Sequence, residues 1–220
     1  MNTNLLIPTA EAAFIAALSD RHMNRVVDEQ LMPGELFEQQ GNVRRFTRLS
    51  AAFAKFYFDD RNWLVASARR QVLDELTKRV GQLQAKDDVF ALLTLPERFN
   101  WKVANFSVEV DMAPYVADVF SRVKDVTQAD ALVTSNFEVM GGAAVFAGTR
   151  VPLDMVLGSI AAGVDMNRLK ASYSFLTDAH IHAARVYDEV HPRRGRPRRL
   201  SDSNVTPLRR INRVVRRAAA

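Results

Sequence analysis

The sequence predicts a mostly helical α+β protein with a basic tail, and three observations point to this description. Apolar residues recur every three to four positions in residues 9–81 and 153–190, which is the period of an amphipathic helix. Residues 89–111 carry short apolar runs and an alternating stretch, which predict strands. Residues 191–220 hold ten Arg, one Asp and three Pro, which predicts a basic, extended tail. We therefore expect four segments, with bounds 1–82, 83–136, 137–190 and 191–220.

Composition narrows the class of protein further. The 220 residues are 48% hydrophobic and 25% charged, as in an ordinary globular chain. The absence of cysteine excludes a disulfide scaffold, a thiolate zinc site, an iron–sulfur cluster and a cysteine nucleophile. No apolar run reaches the roughly 18 residues that span a bilayer, and the first residues lack the pattern of a signal peptide. These features predict a cytoplasmic protein with no membrane segment.

The net charge of +5 is unevenly distributed. Residues 191–220 carry a charge of +9, whereas residues 1–190 hold 20 basic and 24 acidic residues, a charge of −4. The sequence thus predicts a slightly acidic body joined to a strongly cationic tail.

Two helices joined by a tight turn are predicted near the N-terminus, with Thr9 and Ser19 as N-caps. DNA-binding proteins use this unit to present its second helix to the major groove. The candidate DNA contacts on the second helix are Arg21, His22, Asn24 and Arg25. The alternative is a helical hairpin whose polar face only meets water.

A polar loop over residues 35–43 follows, and Arg44, Arg45 and Arg48 lie just before a third helix. Arginines at the end of such a loop suit a wing that holds flanking phosphates. With Thr9–Ala13 and Arg44–Phe46, this stretch resembles the MerR-type winged helix-turn-helix. The second helix has Met23-Asn24-Arg25 where that family has an Arg-Tyr-Trp or Arg-Arg-Trp cluster, so the resemblance implies the module and not its base preference.

The middle segment is predicted to mix strands and helices. A helix is expected from about Trp63 to Val80, before this segment begins. Strands are expected at 90–95 and 106–110, followed by a helix from Tyr115 to about Thr127.

Three short helices are predicted in the C-terminal body, the first ended by Gly163 and the third capped by Thr177. The landmarks of this stretch are Val139–Gly142, Val145–Pro152, Ile160–Gly163, Tyr173 and Leu176-Thr177. In this order they resemble the bacterial DUF433 family. The resemblance implies a small helix-turn-helix-like domain found in VapB-type antitoxins, which are encoded beside toxins with a PIN-like ribonuclease fold. Arg150, in the turn before the first helix, either completes that turn or faces a partner.

The tail allows two kinds of partner. Arg194-Gly195-Arg196-Pro197 has the form of an AT-hook core, which suits a narrow A·T minor groove. The apolar residues Leu208, Ile211 and Val215 have helical spacing, which suits a basic amphipathic helix on an acidic protein groove. The DUF433 resemblance implies that a tail arginine enters the toxin's metal-binding carboxylates. The candidate tail contacts are Arg193, Arg194, Arg196, Arg198, Arg199, Leu208, Arg209, Arg210, Ile211 and Arg213.

The sequence does not favour an enzyme. His180 and His182 are two positions apart on a predicted helix and point to nearly opposite faces, so they cannot bind one metal ion together. The chain has no phosphate-binding loop, dinucleotide glycine pattern or nucleophile elbow. No catalytic residue, metal site or cofactor is expected.

Taken together, the residues and resemblances predict an antitoxin of a type II toxin–antitoxin module. We expect it to bind and neutralise a PIN-like ribonuclease toxin and to bind operator double-stranded DNA as an autorepressor, with a homodimer favoured by palindromic operators. The alternative is a stand-alone transcriptional regulator with an AT-hook-like tail. An RNA-binding module is a third option, because arginine-rich tails also fold on RNA.

Overall fold

A computed structural model of the chain describes residues 6–61, 64–105 and 108–192. Within these ranges most residues are helical, and the strands form three small antiparallel sheets. The predicted mostly helical α+β class is confirmed.

The N-terminal part is a helix pair followed by a β-hairpin and two further helices. Its elements are β1 (Ile7–Pro8), α1 (Thr9–Ala16), α2 (Asp20–Asp28), β2 (Phe37–Gln40), β3 (Val43–Phe46), α3 (Arg48–Tyr57) and α4 (Ala66–Gly81). The sheet order is β1-β3-β2, and β2 pairs with β3 from Phe37 opposite Phe46 to Gln40 opposite Val43. Gly41 turns the hairpin at a φ of 59°, a conformation that glycine adopts without a Cβ clash.

The two predicted N-caps of the helix pair have different outcomes. Ser19 caps α2, because its side chain accepts a hydrogen bond from the backbone N–H of His22. The prediction for Thr9 is wrong, since Pro8 holds the N-cap position of α1 and Thr9 is the first helical residue. Pro8 pairs with Arg45 in the sheet and keeps the chain extended up to that point.

The middle part consists of two helices, a hairpin and a short strand. These are α5 (Lys86–Phe90), β4 (Lys102–Asn105), β5 (Val108–Asp111), α6 (Ala113–Leu132) and β6 (Val133–Ser135). The strand predicted at 90–95 is wrong: Ala91 still donates a helical hydrogen bond to the Asp87 carbonyl, and Leu92 adopts a left-handed φ of 48°. The predicted strand at 106–110 is confirmed for residues 108–110, and α6 extends beyond both predicted ends.

The C-terminal part contains β7 (Ala144–Phe146), α7 (Leu153–Ala161), α8 (Met166–Ser172) and α9 (Asp178–Val190). Strand β7 pairs with β6, which ties this part to the end of α6. Gly163 follows α7 at a φ of 79°, and the Thr177 side chain accepts from the His180 N–H at the start of α9. Both of these predicted helix boundaries are confirmed.

Two hydrophobic clusters form the core, and α9 belongs to both. Ala183, Val186 and Val190 of α9 pack in the larger cluster with buried residues of α1, α3, α4 and α6. Ile181 and Ala184 pack in the smaller cluster with Phe146 and Leu153. Packing therefore crosses the predicted segment limits at residues 82 and 136.

Among the described residues, no helix combines the length and apolar character needed to cross a bilayer.

Candidate nucleic-acid interface

Helix α2 and the β2–β3 hairpin, which contact each other through Arg44, carry six of the seven predicted N-terminal contacts. Met23, Val26 and Val27 are the buried face of α2, which leaves the predicted polar residues on its outer face. The hairpin lies against that outer face through Arg44. We call α2 together with the hairpin the DNA-facing unit, after the sequence-based prediction that its residues contact DNA.

Arg21 and Arg45 are the most available cations of this unit. Both side chains are exposed, and neither has a hydrogen-bond or ion-pair partner among the described residues. Arg45 lies opposite Glu38 and Pro8 in the sheet. A guanidinium that is solvated and unpaired can meet a phosphate without first breaking a protein contact.

The side chains of His22 and Arg25 pack on Phe58, just after α3. The Arg25 guanidinium lies 5.3 Å from the centre of the Phe58 ring and donates to Glu29 from Nε at 2.7 Å. This hydrogen bond lowers the pKa of Glu29. The His22 ring centre is 4.8 Å from that of Phe58, and its Nδ1 is 3.1 Å from the Ser19 hydroxyl. Both residues are thus already engaged within the protein.

Arg44 fixes the hairpin to α2. Its Nη1 donates to Asn24 Oδ1 at 3.0 Å, and its Nη2 donates to Asp28 Oδ1 at 2.5 Å. Its Nε is buried and has no hydrogen-bond partner among the described residues. The geometry thus gives Arg44 and Asn24 a positioning contact that the sequence-based prediction did not include.

Arg48 lies apart from the other six residues, at the start of α3. Its Nε and Nη2 both donate to Oε1 of Glu11, at 3.1 and 2.9 Å, and Glu11 is buried in α1. Burial raises the pKa of Glu11, and the charge and hydrogen bonds of Arg48 oppose that rise. Arg48 therefore joins α1 to α3, and its predicted contact with DNA stays a prediction.

The DNA-facing unit is not strongly basic as a whole. Residues 20–46 contain four Arg and five acidic residues. Since non-specific affinity for DNA depends on cationic contacts to phosphates, this unit alone would supply few of them. The predicted tail contacts, from Arg193 to Arg213, lie outside the described residues.

No metal centre accompanies this interface in the part of the chain that the structure describes: no three His, Asp or Glu side chains cluster there in a way that could hold a metal ion. His180 and His182 make separate contacts, as their spacing predicted. The His180 Nδ1 is 2.7 Å from the Thr177 hydroxyl, whereas the His182 Nε2 is 3.7 Å from Asp125 of α6.

Comparison with known proteins places this chain in a family. Residues 133–187 match the model of the family described as "Protein of unknown function (DUF433)", which confirms the predicted DUF433 resemblance. The chain is also 30% identical to "Uncharacterized protein y4eO" of Sinorhizobium fredii over 201 residues, which are 90% of this chain and 86% of the relative. The chain therefore belongs to the same family as that rhizobial protein. No solved structure matches it.

Proposed function

We propose that the chain is a DNA-binding antitoxin. Its DNA-facing unit binds operator DNA, and its DUF433 region and tail bind a PIN-like ribonuclease toxin. The observation that carries the DNA-binding part is the joint exposure of Arg21 on α2 and Arg45 on a hairpin that Arg44 holds against the same helix. A helix after a tight turn, with a hairpin beside it, suits docking in a major groove with flanking phosphate contacts.

The antitoxin part is supported by the family match and the tail charge. Residues 133–187 match the DUF433 family, and the resemblance to that family implies an antitoxin of the VapB type. Ten arginines in residues 191–220 suit an acidic protein surface as well as DNA. The N-terminal MerR-like module and the VapB-type partner both belong to this proposal.

DNA binding is tested by alanine substitution of the two available arginines. Duplex DNA from upstream of the chain's own reading frame serves as the probe, and affinity is measured by fluorescence anisotropy over a range of salt concentrations. Arg21→Ala and Arg45→Ala should each weaken binding and reduce the salt slope by about 0.9, the value for one lost phosphate contact.

The matched control is Arg70→Ala, which removes an exposed arginine of α4 outside the DNA-facing unit. Its affinity and salt slope should equal those of the unmodified protein. Equal losses in all three variants would indicate diffuse charge attraction and contradict the proposed interface.

Toxin binding is tested by co-expression with a PIN-like protein encoded by a neighbouring reading frame. The chain truncated after Val190 should fail to protect cells or to co-purify with the toxin, because the ten tail arginines are lost. Full protection by the truncated chain would overturn the role of the tail.

A stand-alone regulator is the second candidate, favoured by the Arg194-Gly195-Arg196-Pro197 core. It predicts that the full chain prefers A·T-rich over G·C-rich duplexes and has no PIN-like neighbour.

A further inference from the structure

A surface at the start of the DUF433 region exposes apolar side chains beside a cavity. Phe137 is 85% exposed and Met140 is 55% exposed, unusual values for large apolar side chains. Met140, Gly141 and Gly142 all have positive φ angles, of 50°, 64° and 85°, so a tight left-handed turn holds Met140 outward. Met140 also lines a cavity of about 390 Å³ next to this turn.

The described chain ends at the rim of the same cavity. Asp188 and His191, at the C-terminal end of α9, line it together with Met140. The His191 ring centre is 4.2 Å from that of Tyr187, and its Nε2 is 3.5 Å from Asp130 of α6. These contacts fix His191, near the end of the described chain, beside the cavity.

The part of the body that carries the cavity and the tail that follows it have opposite net charges. Residues 1–124 are neutral, with sixteen basic and sixteen acidic residues, whereas residues 125–190 hold four basic and eight acidic residues. The whole −4 of the body therefore lies in residues 125–190, about a third of the body, which carry the cavity. The tail that follows carries +9.

From these observations we infer that the surface formed by Phe137, Glu138, Met140 and Asp188 binds the protein's own tail. The Leu208, Ile211 and Val215 stripe would cover Phe137 and Met140, and tail arginines would face Glu138 and Asp188. Leu208 is sixteen residues beyond Pro192, and a segment of that length can span up to roughly 50 to 60 Å, enough to return to the rim. Such a tether raises the effective concentration of the tail to the millimolar range, so a weak contact is sufficient.

This inference goes beyond the proposed function and does not depend on it. In the inferred arrangement the tail lies on the body when neither DNA nor toxin is present. Either partner would then have to displace the tail from the body.

The absence of cysteine allows a direct test in the full chain. Asn212→Cys places a single nitroxide label in the apolar stripe of the tail, and the methionine methyl groups are followed by NMR. Met140 should lose most of its signal intensity relative to the reduced label. Met112 should keep its intensity, because it precedes α6, a helix about 30 Å long, whereas Met140 lies beyond the other end of that helix.

The matched pair of charge variants is Glu138→Lys and Glu97→Lys, both at exposed positions. Glu138→Lys should restore the Met140 signal, and Glu97→Lys should leave it broadened, although both change the net charge equally. Unbroadened Met140 in the parent chain, or equal broadening in both variants, would overturn the inference. Because no DNA or toxin is added, neither result affects the test of the proposed function.

Discussion

At the residue scale, the ion pair between Glu11 and Arg48 is the most buried charged contact that the structure describes. The exposed fraction of the side chain is 9% for Glu11 and 18% for Arg48. Both Arg48 donors are directed to one carboxylate oxygen, so the pair satisfies the buried charge of Glu11. Removing one partner of a buried pair leaves an unpaired charge in a poorly solvated site, which is costlier than removing both.

We expect Arg48→Met to lower the free energy of unfolding by about 3 kcal/mol near pH 7, as for other broken buried pairs. The double variant Glu11→Gln/Arg48→Met should recover a large part of that loss. Urea unfolding followed by circular dichroism measures both. A double variant that is less stable than Arg48→Met would contradict the description of a buried pair.

The loss of stability caused by Arg48→Met should depend on pH in a defined direction. Burial raises the pKa of Glu11 from 4.5, and Asp130 raises it further, whereas Arg48 and His191 lower it. A carboxyl with a higher pKa in the folded than in the unfolded chain binds its proton more tightly when folded, so lowering the pH through this window favours folding. Since Arg48→Met removes the main lowering influence, its loss of stability should shrink from about pH 7 to about pH 5.

At the element scale, the helix starts show what local sequence predicts well. Ser19 and Thr177 were predictable as N-caps because each is followed by an acid and an apolar period. Thr9 has the same local pattern, but the strand pairing of Pro8 with Arg45, far along the chain, sets the true start of α1.

We expect Ser19→Ala and Thr177→Ala each to lower the free energy of unfolding by about 1 kcal/mol, the usual cost of a lost N-cap hydrogen bond. Thr9→Ala is the control and should cause a smaller loss, because the Thr9 side chain is not a cap. Thermal or urea unfolding ranks the three variants. A loss at Thr9 equal to that at Ser19 would contradict the cap assignment.

Other elements could not be predicted from local pattern. A short apolar run such as Phe90–Leu95 fits a buried strand or the end of a helix equally well, and the paired acids Asp87 and Asp88 were the available sign of a helix. The contact of Arg44 with Asn24 and Asp28 joins residues far apart in sequence. Period-two alternation places Arg44 on the same face as buried Phe46, but nothing local indicates that α2 lies there.

At the scale of the whole molecule, α9 connects parts that the sequence presents as separate segments. Ala183 packs with the N-terminal and middle helices, and its neighbour Ala184 packs in the smaller cluster of the DUF433 region. Helix α6 also links the two clusters. It packs on α1, α3 and α9, and it continues into β6, the strand that pairs with β7. An element shared by two clusters couples their stability.

We therefore expect one cooperative unfolding transition. Both tryptophans, Trp63 and Trp101, precede the DUF433 region, and Trp101 is buried in the larger cluster. Tryptophan fluorescence therefore reports on the larger cluster. Far-UV circular dichroism reports on helices throughout the chain, including α7 and α8. The two urea transitions should coincide. A dichroism change that continues beyond the fluorescence transition would indicate that the smaller cluster unfolds independently.

Substitution within α9 makes this test specific. Val186→Ala removes two buried methyl groups from the larger cluster and should lower the free energy of unfolding by roughly 1 to 2 kcal/mol. Because α9 is shared, both spectroscopic midpoints should fall together. Arg185→Ala, at the preceding exposed position of the same helix, should leave both midpoints nearly unchanged. A Val186→Ala shift seen by fluorescence alone would show that the two clusters are not coupled through α9.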